Sequence, residues 1–304
     1  MNLHLCKKVL DAEQIRQADQ FTIKNEPVSS IHLMERASEA FVEKFLTLFP
    51  VDRTIVAFCG VGNNGGDGLV VARLLMEHEY KVKVYVVGNE KKGTREFKIN
   101  KQFIDAFAGV RSIRSTEDFP QLTKDLVIID AIFGSGMNRP VDGTYGKLID
   151  YINHSTCKSI VAVDIASGLG CDQKFKDGKV LNVAHTITFQ VPKLSLMLPQ
   201  NMKQSGEVHV VDIGLNQDFI SSLTTSQFLV TPEFVSNILR PRGKYLHKGD
   251  FGRNLIIAGS RGKMGAAVLA AKACLKSGAG LLTTFIPGHG NQIMLSNLPE
   301  AMVV

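Results

Sequence analysis

Hydrophobic positions along the chain follow two alternating patterns. Short, nearly unbroken apolar runs recur at TIVAFC (54–59), KVKVYVVG (81–88), LVIIDAIFG (126–134), SIVAVDIASG (159–168), HTITFQV (185–191) and EVHVVDIG (207–214). Runs of this length, rich in Val and Ile, are what parallel strands covered on both faces require. Helical spacing fills the gaps: Phe97, Ile104 and Phe107 mark a helix within 94–108, and GTYGKLIDYINHS (143–155) reads as another. Ahead of the first strand, Met34, Ala37, Phe41, Phe45 and Leu48 recur at three- and four-residue intervals, one apolar stripe suited to packing on a sheet. Strand and helix in alternation predict a doubly wound α/β/α sandwich, a fold whose ligands bind beyond the carboxyl ends of the strands.

The most informative break in this pattern is residues 60–68, where a strand is expected to turn into a helix. Gly60, Gly62 and Gly65 fit a GxGxxG spacing. Glycines let the backbone approach a ligand closely, and the first free N–H groups of the helix attract an anion. The spacing alone is weak evidence, because a tight strand-to-helix turn produces it too. Asn63, Asn64 and Asp67 add three polar side chains that a plain turn does not need. Asp130 and Asp164 stand at or near the ends of later strands, so they and the 60–68 loop are expected to converge on one crevice.

Composition narrows the function classes. With 44% hydrophobic residues, 304 positions suffice for a sizeable core and two domains. No run approaches the ~20 apolar residues that span a membrane, and MNLHLCKKVL has no apolar signal region, which points to a cytoplasmic protein. The five cysteines show no CxxC spacing, and an odd number argues against a disulfide framework. No HExxH occurs among the eight histidines, so motif spacing gives a zinc site little support. The net charge of +6 comes from scattered Lys and Arg, which suits a phosphorylated small molecule better than nucleic acid.

Four segments in order, GNNGGDGLVVARLL, DAIFGSGMNRPVDG, VDIASGL and TFQVPKLSLMLPQNMKQSGEVHVVDIG, together resemble the NAD(P)H-hydrate epimerase domain, also called the YjeF N-terminal domain. LMERA (33–37) is similar to that family's N-terminal helix. The resemblance runs from about residue 10 to 215 and implies a Rossmann-like three-layer sandwich with a mostly parallel sheet. A second stretch, HKGDFGRNLIIAGSRGKMGAAVLAAKACLKSGAGLLTTFIP (247–287), resembles the opening of ADP-dependent NAD(P)H-hydrate dehydratase domains, which are ribokinase-like. The expected division is an epimerase domain over 1–220 and an incomplete α/β segment over 221–304, joined by a Ser-, Thr- and Asn-rich linker around 215–240. The later NAGTGD-type loop of the dehydratases is not in the sequence, so dehydratase activity, with ADP, is expected only of a longer form. GSRGKMG (259–265) misses the Walker A spacing and reads as a helix-opening turn.

The resemblance implies a substrate, hydrated NADH or NADPH, and a reaction, exchange of its R and S epimers. Asp164 is the candidate acid/base carboxylate, with a turn-capping role as the competing assignment. Asn63, Asn64, Gly65, Gly66 and Asp67 would line the substrate site, together with Gly134, Ser135, Gly136, Met137, Asn138, Arg139 and Pro140. Arg139 is suited to a phosphate, or equally to a solvated loop. The family's potassium ion would fall to Asn64, Asp130 and Ser167, each an oxygen ligand of the type a hard cation requires; loop hydrogen bonding is the alternative for the last two. Two positions depart from the family pattern: Ala166 stands where proline is usual, which loosens the loop carrying Ser167, and Ser38 stands where glycine is common.

Two other function classes fit parts of the sequence. A non-catalytic nucleotide-binding or scaffold module of the same fold would have no use for Asn63, Asn64, Asp67, Asp130, Asp164 and Ser167, all present here. An ordinary NAD-dependent oxidoreductase could use Glu90 on the ribose, but no hydride-transfer domain follows. Oligomeric state is left open, with the N-terminal helices the available face for a homo-oligomer.

Overall fold

In the computed structural model, which describes residues 6–137, 139–172, 178–239 and 242–304, the apolar runs become one seven-stranded sheet. Its strands are β1 (Thr54–Cys59), β2 (Lys81–Val87), β3 (Arg111–Ile113), β4 (Leu126–Ala131), β5 (Ser159–Val163), β6 (His185–Phe189) and β7 (Glu207–Val211). Every pairing is parallel and the spatial order is β3-β2-β1-β4-β5-β6-β7. Strand order reverses between β1 and β4, the place where such sheets open a ligand crevice. The short β3 escaped the sequence reading because only Ile113 of its three residues is buried.

Alternation along the strands builds two cores. Ile55, Ala57 and Cys59 of β1 face one side with Val127, Ile129 and Ala131 of β4; there α2 (Ser30–Leu46), α3 (Asn63–Glu77) and α4 (Arg95–Asp105) cover them with Phe41, Phe45, Leu69 and Phe97. Val56, Phe58 and Ile128 face the other side, under Leu148, Ile149 and Ile152 of α5 (Gly143–His154). The predicted stripe is therefore core, with Met34, Ala37, Phe41 and Phe45 all buried on α2. An earlier helix, α1 (Ala12–Asn25), starts at an Asp11 capping box whose side chain accepts from the Gln14 N–H. Four of the five cysteines are buried and all five are free, as the odd count implied.

The chain divides into two compact units, residues 1–236 and 237–304. The first reaches beyond the boundary expected at residue 220. Lys7–Lys8 pairs antiparallel with Phe228–Leu229, Phe219 stacks on Phe21 at 4.3 Å, and Val9 donates to the Gln227 carbonyl, so the polar stretch expected as linker is tied to the first unit.

The second unit is a parallel sheet of β8 (Arg253–Ile257), β9 (Leu281–Phe285) and β10 (Met302–Val303), with α6 (Met264–Lys276) packed through Met264, Ala267 and Ala271 onto Leu282 and Ile286. Residues 259–263 form the helix-opening turn, with Gly259 and Gly262 at positive φ. Register places Leu255 opposite Thr283 and Ile257 opposite Phe285, and Leu255, Ile257 and Phe285 are 61%, 73% and 54% exposed. A parallel sheet is normally covered on both faces, and this one is covered on one. The chain is therefore expected to raise anilinonaphthalene sulfonate fluorescence, and Leu255→Thr with Ile257→Thr to lower it; equal fluorescence from both proteins would mean the face is not available to the dye.

Candidate active site

The turn between β1 and α3 works because two of its glycines have no space for a side chain. A Cβ on Gly60 would lie 2.0 Å from the Ile132 carbonyl oxygen, and one on Gly65 would lie 1.8 Å from the Gly60 carbonyl oxygen. Backbone from β1, α3 and the end of β4 is thereby pressed together at the switch point. Helix α3 starts at Gly62 with no side-chain cap, leaving its first N–H groups for another acceptor.

This helix start opens onto a cavity of about 570 Å³, within the range of small-molecule sites. Asn63, Asn64 and Asp67 line it from α3, Gly134 to Met137 from the loop after β4, Asp164 from the loop after β5, and Asp19 from α1. Apolar walls come from Leu10, Ile15, Leu33, Met34, Val191 and Leu215, while the Phe133 and Tyr145 rings pack tilted to one another with centroids 4.9 Å apart. Of the predicted site residues, Gly65 and Gly66 do not line the cavity; both are buried in the first turn of α3, where they set its approach. Arg139 and Pro140 are exposed and stand outside the lining. Asn138 lies outside the described residues.

Asp164 sits at φ +66, a left-handed conformation uncommon for a non-glycine residue and one that concentrates at functional sites. Its Oδ1 accepts from Lys193 Nζ at 2.6 Å, Thr188 Oγ1 at 3.1 Å and the Phe189 N–H at 3.1 Å. Oδ2 has no protein donor among the described residues. Lys193 is fully buried and its only other acceptor among the described residues is the Phe189 carbonyl, at 2.8 Å. Gln190, also left-handed at φ +61, accepts from the Ile213 and Leu215 N–H groups and fixes the far wall.

Asp130 corrects the expectation of one shared crevice. It is wholly buried beneath the cavity, because its carboxylate is taken up by the loop after β5. Oδ2 accepts the Ser167 N–H at 2.7 Å, and Oδ1 accepts the Ser167 hydroxyl at 2.5 Å and the Ile132 N–H at 3.3 Å. Ser167 Oγ in turn accepts from the Phe133 N–H at 2.9 Å, so these bonds hold the loop where a proline was expected to. Burial raises the Asp130 carboxyl to about 6 against the pull of those hydrogen bonds, and no Lys or Arg pairs with it among the described residues. Asn64 packs beside Gly134, and its buried Nδ2 has no partner among the described residues. The oxygens of Asp130, Ser167 and the Asn64 amide are of the type a hard monovalent ion takes, and here those of Asp130 and Ser167 are joined by hydrogen bonds to one another and to the loop.

Two titratable groups that the sequence reading missed or left without a chemical role complete the cavity. Burial, then the charge of Asp164, raises Asp19 to about 6, with Lys193 opposing. Burial, then Asp164 and Asp19, holds Asp67 well above the usual carboxylate range. Lys193 had a legible signal, a single lysine inside the apolar TFQVPKLSLM; Asp19 had none.

The Asp19 shift carries a stability consequence. Its folded-state value exceeds the unfolded one, so the folded chain holds the proton more tightly, and stability falls as pH rises from about 4 to 6. Asp19→Asn should therefore be stabilising by about 1–2 kcal/mol at pH 8 and neutral near pH 4, allowing for partial exposure. Urea denaturation at the two pH values checks this; an equal difference at both would show that Asp19 is not perturbed.

The family model "YjeF-related protein N-terminus" matches residues 30–195. The bifunctional NAD(P)H-hydrate repair enzyme Nnr of Moorella thermoacetica is 34% identical over 97% of this chain, and that of Coxiella burnetii 34% over 95%. The chain spans only 57% and 58% of those proteins. The NAD(P)H-hydrate epimerase of Limosilactobacillus fermentum is 37% identical over 68% of this chain and 98% of its own length. The crystal structure of yeast ynu0 superimposes with a TM-score of 0.59 at 24% identity, over 70% of this chain and 91% of that one, and shares the fold. With more than half of its length matched by the family model, and most of its cavity lining within that match, the chain belongs to the YjeF-related N-terminal family.

Proposed function

We propose that the first unit is an NAD(P)H-hydrate epimerase, exchanging the R and S forms of NADH or NADPH that carry a hydroxyl on the carbon beside the nicotinamide nitrogen. The observation that carries this reading is the pairing, in one cavity, of an uncapped glycine-rich helix start with two carboxylates in different settings, Asp67 raised by burial and Asp164 bonded to Lys193. The names of the Limosilactobacillus and Moorella relatives support it.

The reaction needs no redox step. The ring nitrogen lone pair expels the hydroxyl, which leaves as water once protonated, and the ring becomes an iminium ion. Water then adds to the opposite face and gives up one proton. Burial holds Asp67 well above the usual carboxylate range, which suits it as the donor to the departing hydroxyl; Asp164, paired with Lys193, is the base for the incoming water. The reverse direction exchanges the two roles, as an epimerase requires. Asn63 and the α3 N–H groups suit the substrate's phosphates. Potassium, held by Asn64, Asp130 and Ser167, would supply charge neutralisation beneath the cavity.

A cytoplasmic location and a small-molecule substrate belong to the same reading; no helix among the described residues is long and apolar enough to cross a membrane. ADP-dependent dehydration is proposed only for a form with a complete second domain.

The test is to give the purified chain R-enriched NADHX, with and without potassium, and follow the S epimer by chromatography. Acceleration over the uncatalysed rate is expected, greater with potassium. A folded chain that gives no acceleration would overturn the assignment.

A further inference from the structure

Far from the cavity, strand register creates a second constellation. His185 opens β6 and Glu207 opens β7, and the two are paired across the strands. Glu207 and His209 are two residues apart on β7, so their side chains share one face of the sheet. All three therefore project from the same patch, at the end of the sheet opposite the loops that carry Asp164, and none lines the cavity.

The contact geometry is that of a ligand set. His185 Nδ1 lies 3.2 Å from His209 Nε2, Glu207 Oε2 lies 3.6 Å from His185 Nδ1, and Glu207 Oε1 lies 3.9 Å from His209 Nε2. Donors at zinc bond lengths around a tetrahedron stand roughly 3.3–3.6 Å from one another. The rings are largely buried, with His185 edge-on to Phe49 at 5.8 Å and the two imidazoles stacked at 5.4 Å, so both are held in place. Glu207 is 69% exposed and free to close over the rings from the solvent side. We propose that His185, Glu207 and His209 bind one divalent transition metal ion, with Zn²⁺ the best-suited, leaving a fourth position for water. The ion would bridge β6 to β7, the edge strand of the sheet, and fasten an edge that otherwise has only one neighbour. Motif spacing could not reveal the set, because it depends on strand pairing and not on a helical repeat. Lys44 is the nearby cation that opposes a metal here.

The experiment uses the whole chain, stripped with EDTA and titrated calorimetrically with ZnCl₂ at pH 7.5. One Zn²⁺ per chain is expected, with a rise in melting temperature. Affinity should fall on the order of 100-fold in His185→Asn and in His209→Asn, less in the exposed Glu207→Gln, and should increase in Lys44→Gln. Co²⁺ should give tetrahedral d–d absorption without a thiolate charge-transfer band. Epimerase activity of the variants should match wild type, which separates this site from the catalytic reading. Two neutral rings sharing one N–H···N hydrogen bond would also stand 3.2 Å apart; absence of Zn²⁺ binding, or equal binding by wild type, Glu207→Gln and the double His variant, would identify that arrangement and overturn the metal site.

Discussion

Asp164→Asn is expected to lower the epimerisation rate by about 10²–10⁴-fold, the range that a positioned general base contributes, with little change in substrate affinity; it also costs stability, because it leaves the buried Lys193 ammonium without its carboxylate. Asparagine is the informative replacement. It keeps the shape of the side chain, and it tolerates left-handed backbone better than other non-glycine residues, so the conformation at φ +66 survives. Thr188 and Phe189 can still donate to its amide oxygen, whereas the oxygen that served as base becomes an amide nitrogen with no basicity. A fall in kcat at constant KM, measured against the spontaneous rate, is the signature of a group acting in the transition state. Asp67→Asn should lower the rate as well, and in a distinguishable way. Wild-type activity is expected to fall on the alkaline side as Asp67 loses the proton that burial and the neighbouring charges preserve, and this alkaline limb should be absent from the Asp67→Asn profile. Retention of full activity by Asp164→Asn would remove it from the chemistry.

The sheet was legible in the sequence wherever a strand carried a Val- and Ile-rich run. Strands β1, β4 and β5 are nearly continuous apolar runs with every residue after the first buried, while β2, β6 and β7 carry Val, Ile and Thr among polar residues. The edge strand β3 was not legible, because its three residues include one buried apolar position and form no run, whereas the other edge strand, β7, keeps three valines. The glycine turn was readable for a steric reason: Gly60 and Gly65 occupy points where backbone lies under 2.1 Å from any added Cβ, and no other residue type fits. Placement of the carboxylates was readable only to the level of strand ends. Asp130 is the last but one residue of β4 and Asp164 follows β5, yet Ser167 engages the first outside the cavity lining while the second lines the cavity. What separates them is pairing 29 to 37 residues away in sequence, and no local pattern encodes that. Asp19 was invisible for the same reason, being an ordinary acidic residue in α1 until the fold brings it near Asp164.

Lys193→Met should have the largest effect on stability, about 3–5 kcal/mol, because it removes one partner of a buried ion pair and leaves the other charge unmatched. Methionine fills the same volume without the ammonium, so a cavity contributes little to that loss. In a domain of this size the melting temperature would fall on the order of 10 °C. The cost should come from Asp164 and not from lysine packing, which a double-mutant cycle can separate. If the stranded carboxylate is responsible, adding Asp164→Asn to Lys193→Met restores much of the lost stability, and the two changes couple strongly. If the single costs simply add, Lys193 acts through packing alone, and the ion pair has no energetic standing. The restored double variant would still be inactive, and that contrast explains why a pair that a neutral arrangement could replace is present at all. Lys193 lies 2.6 Å from Asp164 Oδ1, beside Asp67 and Asp19, two carboxyls that burial and the Asp164 charge hold above the usual range. One buried cation thus sets a base and an acid apart within a single cavity, which is the condition for delivering a proton to one face of a ring and removing one from the other.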